Sequence, residues 1–261
     1  MPTIKSDKRD EYKRQIGLKL KELKKNDPEQ LQKILSHMTE EQADEILYDQ
    51  EIWLRDNQWV DLSSRSPIHL LLAGRGFGKG FAGASTVKRA VERHGVKDIL
   101  IIAVASRDFR ATIAPAIMDA YSPKDKNKPH HSVGKGAIFW PNGAVATCIP
   151  AEAGEDAVRG LNNELIWCDE PAFYGNNEGI IDQALLTLRR EPSILIATTS
   201  PKATPKIIEW QERGDDPEDH MVKLYSGSTY ENMENLSEAF IDTVIKKYEG
   251  TRMGDTELEG K

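Results

Sequence analysis

LLLAGRGFGKGFAGA, residues 70–84, sets five glycines and two cations, Arg75 and Lys79, directly behind an apolar run. The run reads as a buried strand, and a helical pattern begins at about Lys79. Between them, glycines let the backbone take positive φ and turn its N–H groups inward around an anion. The start of the helix adds its positive end, and Lys79 a point charge suited to β- and γ-phosphate. Ala73, Gly74, Arg75, Gly76, Phe77, Gly78, Lys79 and Gly80 therefore read as the cradle of a nucleoside triphosphate.

The fit to the pattern GxxxxGK[ST] departs at two places. Ala73 replaces the first glycine, a small change. Gly80 replaces the Ser or Thr whose hydroxyl should hold Mg²⁺, a larger one. Further on, ELIWCDE (164–170) is an apolar strand ending in two adjacent acids. Such a pair supplies one carboxylate near Mg²⁺, usually through water, and a second as the base that polarises the attacking water. Asp169 takes the first role and Glu170 the second.

Outward from the loop, short β-rich runs alternate with helical ones. IHLLLA (68–73), DILIIAV (98–104), ELIWC (164–168), SILIAT (193–198) and 221–226 read as strands. Helices are expected over 79–94, 109–121, 179–190, 204–212 and 237–248. GAIFW (136–140) and AVATCI (144–149) flank Pro-Asn-Gly, a hairpin signal. Two-sided apolar strands alternating with helices argue a parallel sheet covered on both faces. KDKNKPHH (124–131) is expected as an exposed loop. Ahead of all this, 7–25 and 28–53 read as helical, with TEEQ (39–42) a capping-box pattern that can start a new helix at Thr39.

Composition sets the outer bounds. The chain has 261 residues, 39% hydrophobic and 30% charged, which fits one large soluble domain or one with a small appendage. No apolar run approaches the ~18 residues of a membrane span, and no signal peptide is expected at the polar N-terminus. Cys148 and Cys168 sit in apolar runs and read as core thiols; with no CxxC, they are not expected to bind metal. Net charge is −7, yet residues 1–25 hold nine Lys/Arg against four Asp/Glu. That basic segment could touch nucleic acid or an acidic partner, or form the solvated face of an amphipathic helix.

The ordered set WLRDNQ (53–58), LAGRGFGK (72–79), WPNGA (140–144), RG (159–160), WCDE (167–170), ATTSP (197–201), GSTYEN (227–232) and YEGTR (248–252) resembles the ATPase domain of tailed-phage terminase large subunits. The resemblance runs from about Leu35 to the end. It implies an α/β P-loop fold with a mainly parallel central sheet of the additional-strand (ASCE, RecA-like) type. A helical segment would cover 1–53, the ATPase domain 54–250, and 251–261 would begin a linker to a nuclease domain absent from this chain.

By the same resemblance Gln58 reads the adenine edge, Arg75 and Lys79 neutralise phosphate charge, and Asp169 positions Mg²⁺. Glu170 is the catalytic glutamate. Thr198, Thr199 and Ser200 form the motif that senses the γ-phosphate. Arg159 reaches a neighbouring subunit's nucleotide; the residues alone allow instead a surface pair with Glu155 or Asp156. The implied cofactors are ATP and Mg²⁺. The implied partners are double-stranded DNA, a portal protein, a small terminase subunit and further copies in a ring, with this fragment alone a possible monomer. The implied place is the procapsid portal in the host cytoplasm. No membrane contact and no nuclease activity are expected. Two other readings stay open: a nucleotide-binding assembly module that hydrolyses little, suggested by Gly80, and a P-loop ATPase of helicase type, disfavoured by the length.

Overall fold

Residues 7–260 are described by a computed structural model; the first six residues of the expected helical segment, and Lys261, lie outside it. Four helices lead: α1 (Glu11–Asn26), α2 (Pro28–Ser36), α3 (Glu40–Tyr48) and the short α4 (Gln50–Trp53). The stretch read as helical over 28–53 is thus broken twice. The first break is the capping box at Thr39, whose hydroxyl accepts from the Gln42 N–H at 3.2 Å while the Gln42 side chain accepts from the Thr39 N–H at 3.0 Å. The second is Asp49, whose side chain caps α4.

The prelude is stitched to the body by charge. Asp7, 1% exposed, pairs with Arg89, lies 3.1 Å from His94 Nε2, and accepts from the Leu62 N–H at 3.0 Å. Arg9 and Arg14 pair with Asp56, and Lys13 with Asp49 and Glu51. Several cations of the basic segment are therefore spent within the chain.

The strands are β1 (Ile68–Ala73), β2 (Asp98–Ala103), β3 (His130–Ser132), β4 (Ala137–Phe139), β5 (Val145–Pro150), β6 (Leu165–Asp169), β7 (Ile194–Thr199) and β8 (Val222–Gly227). They form one sheet in the order β3-β4-β5-β2-β6-β7-β1-β8. All neighbours from β5 to β8 pair in parallel; β3 and β4 are antiparallel. The additional strand is β7, lodged between β1, which leads into the glycine-rich loop, and β6, which ends in the acid pair.

Both faces of the sheet are apolar because both are covered. Ile99 and Ile101 of β2, with Leu165 and Trp167 of β6, pack under helix α5 (Lys79–Arg93) through Ala84, Val87 and Val91. The alternate residues Leu100, Ile102, Ile166 and Cys168 pack against Ile180, Ile181 and Ala184 of the 179–185 helix, and Trp210 of the 205–215 helix joins the same cluster. A period of two thus gives hydrophobic residues at every position, each worth about 1.5–3 kcal/mol when fully buried. Cys148 and Cys168 are free thiols, the latter fully buried.

Three sequence expectations need correction. His130 and His131, placed in a loop, begin the edge strand β3, three residues long and too short for a periodic signal. The helix expected from 109 starts at Ser106 and contains a π turn over Phe109–Ile113. The helix expected over 179–190 ends at Leu185. Among the described residues no helix is long and apolar enough to cross a membrane.

Candidate functional site

Parallel strands deliver their C-terminal ends to one edge, and in this sheet that edge gathers the loop after β1, the acids after β6 and the hydroxyls ending β7. Gly76 and Gly78 sit at φ +78° and +96°, a region closed to most side chains, which lets the loop double back before α5 begins at Lys79. The Phe77 ring is fully buried against Leu71, Ala73 and Ala82. Of the expected cradle residues, Phe77 therefore contributes backbone only, and its ring anchors the loop.

Lys79 is 8% exposed. Its ammonium donates to the carbonyls of Ala73 (3.1 Å) and Gly74 (3.3 Å) and to Ser200 Oγ (2.9 Å), with Glu170 Oε1 at 3.5 Å. Loop, acid and hydroxyl motif thus meet at one cation. Glu170 has a left-handed backbone, φ 52° and ψ 50°, a conformation that costs a non-glycine residue on the order of 1–3 kcal/mol and is found at functional sites. It is fixed by the Glu170 N–H donating to the Thr198 carbonyl at 2.7 Å. The carboxylate accepts from the Ser200 N–H (2.8 Å), the Thr199 hydroxyl (3.3 Å) and Ser200 Oγ (3.4 Å).

Asp169 lies beside it, accepting from Thr198 Oγ1 at 3.0 Å. Burial, together with the neighbouring Glu170 charge, pushes its carboxyl up to about 7; the Thr198 bond and Lys79 oppose this. A recessed carboxylate with more negative than positive neighbours fits a divalent cation, which would supply the missing charge. Gly80 offers no side-chain oxygen, and a Cβ there would meet nothing within 4 Å. Mg²⁺ binds through one or two carboxylates, waters and phosphate oxygens, so the single acid Asp169 remains compatible with it. The described residues contain no group of three or more His, Cys, Asp and Glu arranged to hold a metal.

Gln58 lies against the loop, 2% exposed, with its amide nitrogen 3.1 Å from the Phe77 carbonyl and 3.4 Å from that of Gly78. Its amide oxygen accepts from the Arg55 N–H at 3.0 Å. Both ends of the amide are satisfied by protein. Gln58, Gly78 and Phe81 also line a cavity of about 640 Å³ between the loop and the N-terminal helices, with Leu35, Ile46 and Trp53 on its apolar wall.

The two arginines stand apart from the cluster. Arg75 points to Glu257, Nε to Oε2 at 3.1 Å, and its N–H donates to the Glu257 carbonyl at 2.6 Å. Residues 252–257, expected as the start of a linker, form a helix that places this contact on the loop. Arg159 pairs with Asp156 at 3.0 Å on the surface. Three further residues that sequence reasoning gave no role touch the loop directly: Arg55 donates to the Phe77 carbonyl, Asn232 to that of Gly76 at 2.6 Å, and the Thr229 hydroxyl to that of Arg75 at 2.6 Å. Their signal was present, since all three fall inside WLRDNQ and GSTYEN, but nothing in either hexapeptide says that it contacts a loop twenty or more residues away.

Comparison with known proteins agrees with this fold. The family described as terminase large subunit, T4likevirus-type, N-terminal, matches residues 70–261. No curated protein matches. Among solved structures, the large terminase of a thermophilic bacteriophage aligns with a TM-score of 0.63 at 14% identity, over 77% of this chain and 49% of that one. The large terminase ATPase domain of Thermus phage P74-26 gives 0.57 at 12% identity, over 76% and 89%, and the HK97 large terminase 0.53 at 17%, over 62% and 36%. The chain spans about half the length of the first of these proteins, which has also been solved with ADP and with ATP-γ-S. These likenesses support the fold, and the family match takes in the loop, both acids and the hydroxyl run: the chain belongs to the terminase large-subunit family, in its T4-like-virus type, and carries the N-terminal domain.

Proposed function

We propose that the chain hydrolyses ATP with Mg²⁺ and couples hydrolysis to moving double-stranded DNA into a procapsid. The observation that carries the hydrolysis is the meeting of Lys79, Glu170 and Ser200 at the glycine-rich loop, with Asp169 beside Glu170 and held by Thr198; the DNA movement rests on the family. Lys79 and the loop N–H groups would hold the β- and γ-phosphates. When bound to Asp169, Mg²⁺ supplies charge neutralisation to the phosphate oxygens. Glu170 would accept a proton from the attacking water; its carboxylate is already aimed by Ser200 and Thr199. Ser200, in reach of both Lys79 and Glu170, would register whether a γ-phosphate is present. The cavity beside Gln58 would take the nucleoside, Gln58 exchanging its loop contacts for the adenine edge.

Arg75, exposed and paired with Glu257, would swing to phosphate, and Arg159 would act on a neighbouring copy's nucleotide in a ring. DNA contacts would go to phosphates, since packaging is sequence-independent. The lysines of 124–135 and those of the N-terminal segment not paired within the chain are the candidates. Portal protein, small terminase subunit and the procapsid portal in the host cytoplasm complete the proposal, which rests for these on the family. Steady-state phosphate release with and without DNA tests it: DNA stimulation supports the motor. Gly80 favours one other reading, a nucleotide-binding assembly module, for which tight ATP binding with negligible turnover is the expected result.

A further inference from the structure

Gly76, Phe77 and Gly78 are the turn of the loop, and each of their carbonyls is held from outside by a side chain. Asn232 Nδ2 donates to Gly76 at 2.6 Å, Arg55 Nη2 and Gln58 Nε2 to Phe77, the latter at 3.1 Å, and Gln58 Nε2 to Gly78 at 3.4 Å. Arg55 and Asn232 also bond each other, Nη1 to Oδ1 at 2.9 Å, and the Arg55 guanidinium lies over the Phe77 ring at 4.5 Å. Asn235 donates to the same Asn232 oxygen at 2.9 Å, so the asparagine's amide is oriented from both sides.

A trans peptide is planar, with its C=O and the following N–H pointing in opposite directions. Holding the Phe77 carbonyl outward therefore turns the Gly78 N–H inward, whereas the Gly78 carbonyl also accepts the Ala82 N–H at 3.0 Å, so the plane before Lys79 is set by α5. Between two glycines the Phe77–Gly78 plane would otherwise be free to rotate. We infer that Arg55 and Asn232 are positioning residues for phosphate binding: as one hydrogen-bonded unit they keep the loop's N–H groups aimed into the cradle. They also join the loop to two distant segments, the turn before β1 and the stretch after β8. This rests on the ATP reading above but assigns roles to residues that reading does not use.

The test is binding of a fluorescent ATP analogue with Mg²⁺, together with ATP hydrolysis, by the wild-type chain, R55A, R55K, N232A, N232S and the double variant R55A/N232A. Removing a charge-assisted bond that orients the loop is expected to weaken analogue binding about tenfold in each alanine variant. The double variant should lose less than the product of the single losses, because the two side chains share a bond. KM for ATP should rise more than kcat falls, and R55K should recover part of the R55A loss. N232S, a smaller change at a half-buried position, keeps the test valid if R55A does not fold. Variants that melt like wild type and bind the analogue equally well, or losses that multiply independently, overturn the proposal. A wild-type chain that binds no analogue overturns the ATP reading itself.

Discussion

Thr198 joins the hydrophobic core to the acid of the site: its hydroxyl donates to Asp169 Oδ1 at 3.0 Å and accepts from the Trp167 indole N–H at 2.9 Å. Trp167 in turn lies under α5, where Gly83 leaves room for its ring. Helix packing, tryptophan, threonine and aspartate therefore form one chain of contacts. The carboxylate expected to face the metal is oriented by the core itself.

Replacing Thr198 by Val keeps the shape and removes both bonds. An indole N–H and a carboxylate oxygen would be left unpaired, at a cost of about 1–3 kcal/mol. Urea unfolding of Thr198→Val should show a loss of that order, while Thr198→Ser, which keeps the hydroxyl, should stay closer to wild type. A Val variant as stable as wild type would mean that the tryptophan finds another acceptor.

Asp169 makes stability depend on pH in an unusual direction. Its folded pKa of about 7 exceeds the ordinary 3.8. Between those values the folded chain holds a proton that the unfolded chain has released, so this group's contribution to stability falls as pH rises from about 4 to 7. Asp169→Asn should remove that slope and be more stable than wild type at pH 8 by roughly 1–4 kcal/mol. The difference should shrink toward pH 4. Parallel pH profiles for the two proteins would show that the carboxyl titrates normally.

Two glycines of one helix should respond in opposite ways. A Cβ on Gly83 would collide with the Trp167 ring, whereas one on Gly80 would meet nothing within 4 Å. Gly83→Ala should destabilise by about 1–3 kcal/mol through overpacking. Gly80→Ala should be neutral or stabilise by up to about 1 kcal/mol. Thermal melts compare the two directly. Gly80→Thr adds the hydroxyl that the loop pattern lacks and should raise Mg²⁺-dependent turnover; no gain would indicate that another group serves in its place.

Arg159 sits on the surface with Asp156, a pair worth little to stability. Arg159→Ala should melt like wild type and bind the ATP analogue equally well. In the assembled motor its hydrolysis should fall by about 10³-fold or more, the scale of an arginine supplied in trans. Unchanged turnover there removes Arg159 from that role.

Much of this was legible in the sequence because local chemistry dictates it. The glycines and Lys79 announce a phosphate loop, the apolar strand before Asp169 and Glu170 announces a paired-acid edge, and TEEQ announces a helix start that occurs at Thr39. What was not legible depends on chain segments meeting across the fold. Edge strand β3 exists because β4 offers it a partner, not because His130–Ser132 has strand character. Arg55, Asn232 and Glu257 reach the loop from 22, 156 and 182 residues away, and no spacing rule connects them. Gln58 was given to adenine by resemblance, and only the folded arrangement places its amide on the Phe77 carbonyl.

The most direct measurement is phosphate release from Mg²⁺–ATP by the wild-type chain beside Glu170→Gln and Lys79→Ala, each also titrated with a fluorescent ATP analogue. Wild type and Glu170→Gln should both bind, with turnover in the glutamine variant reduced at least ~100-fold, the scale of a lost general base. Lys79→Ala should lose binding as well. Equal turnover in wild type and Glu170→Gln, or analogue binding indifferent to Lys79, would contradict a shared nucleotide site at this edge of the sheet.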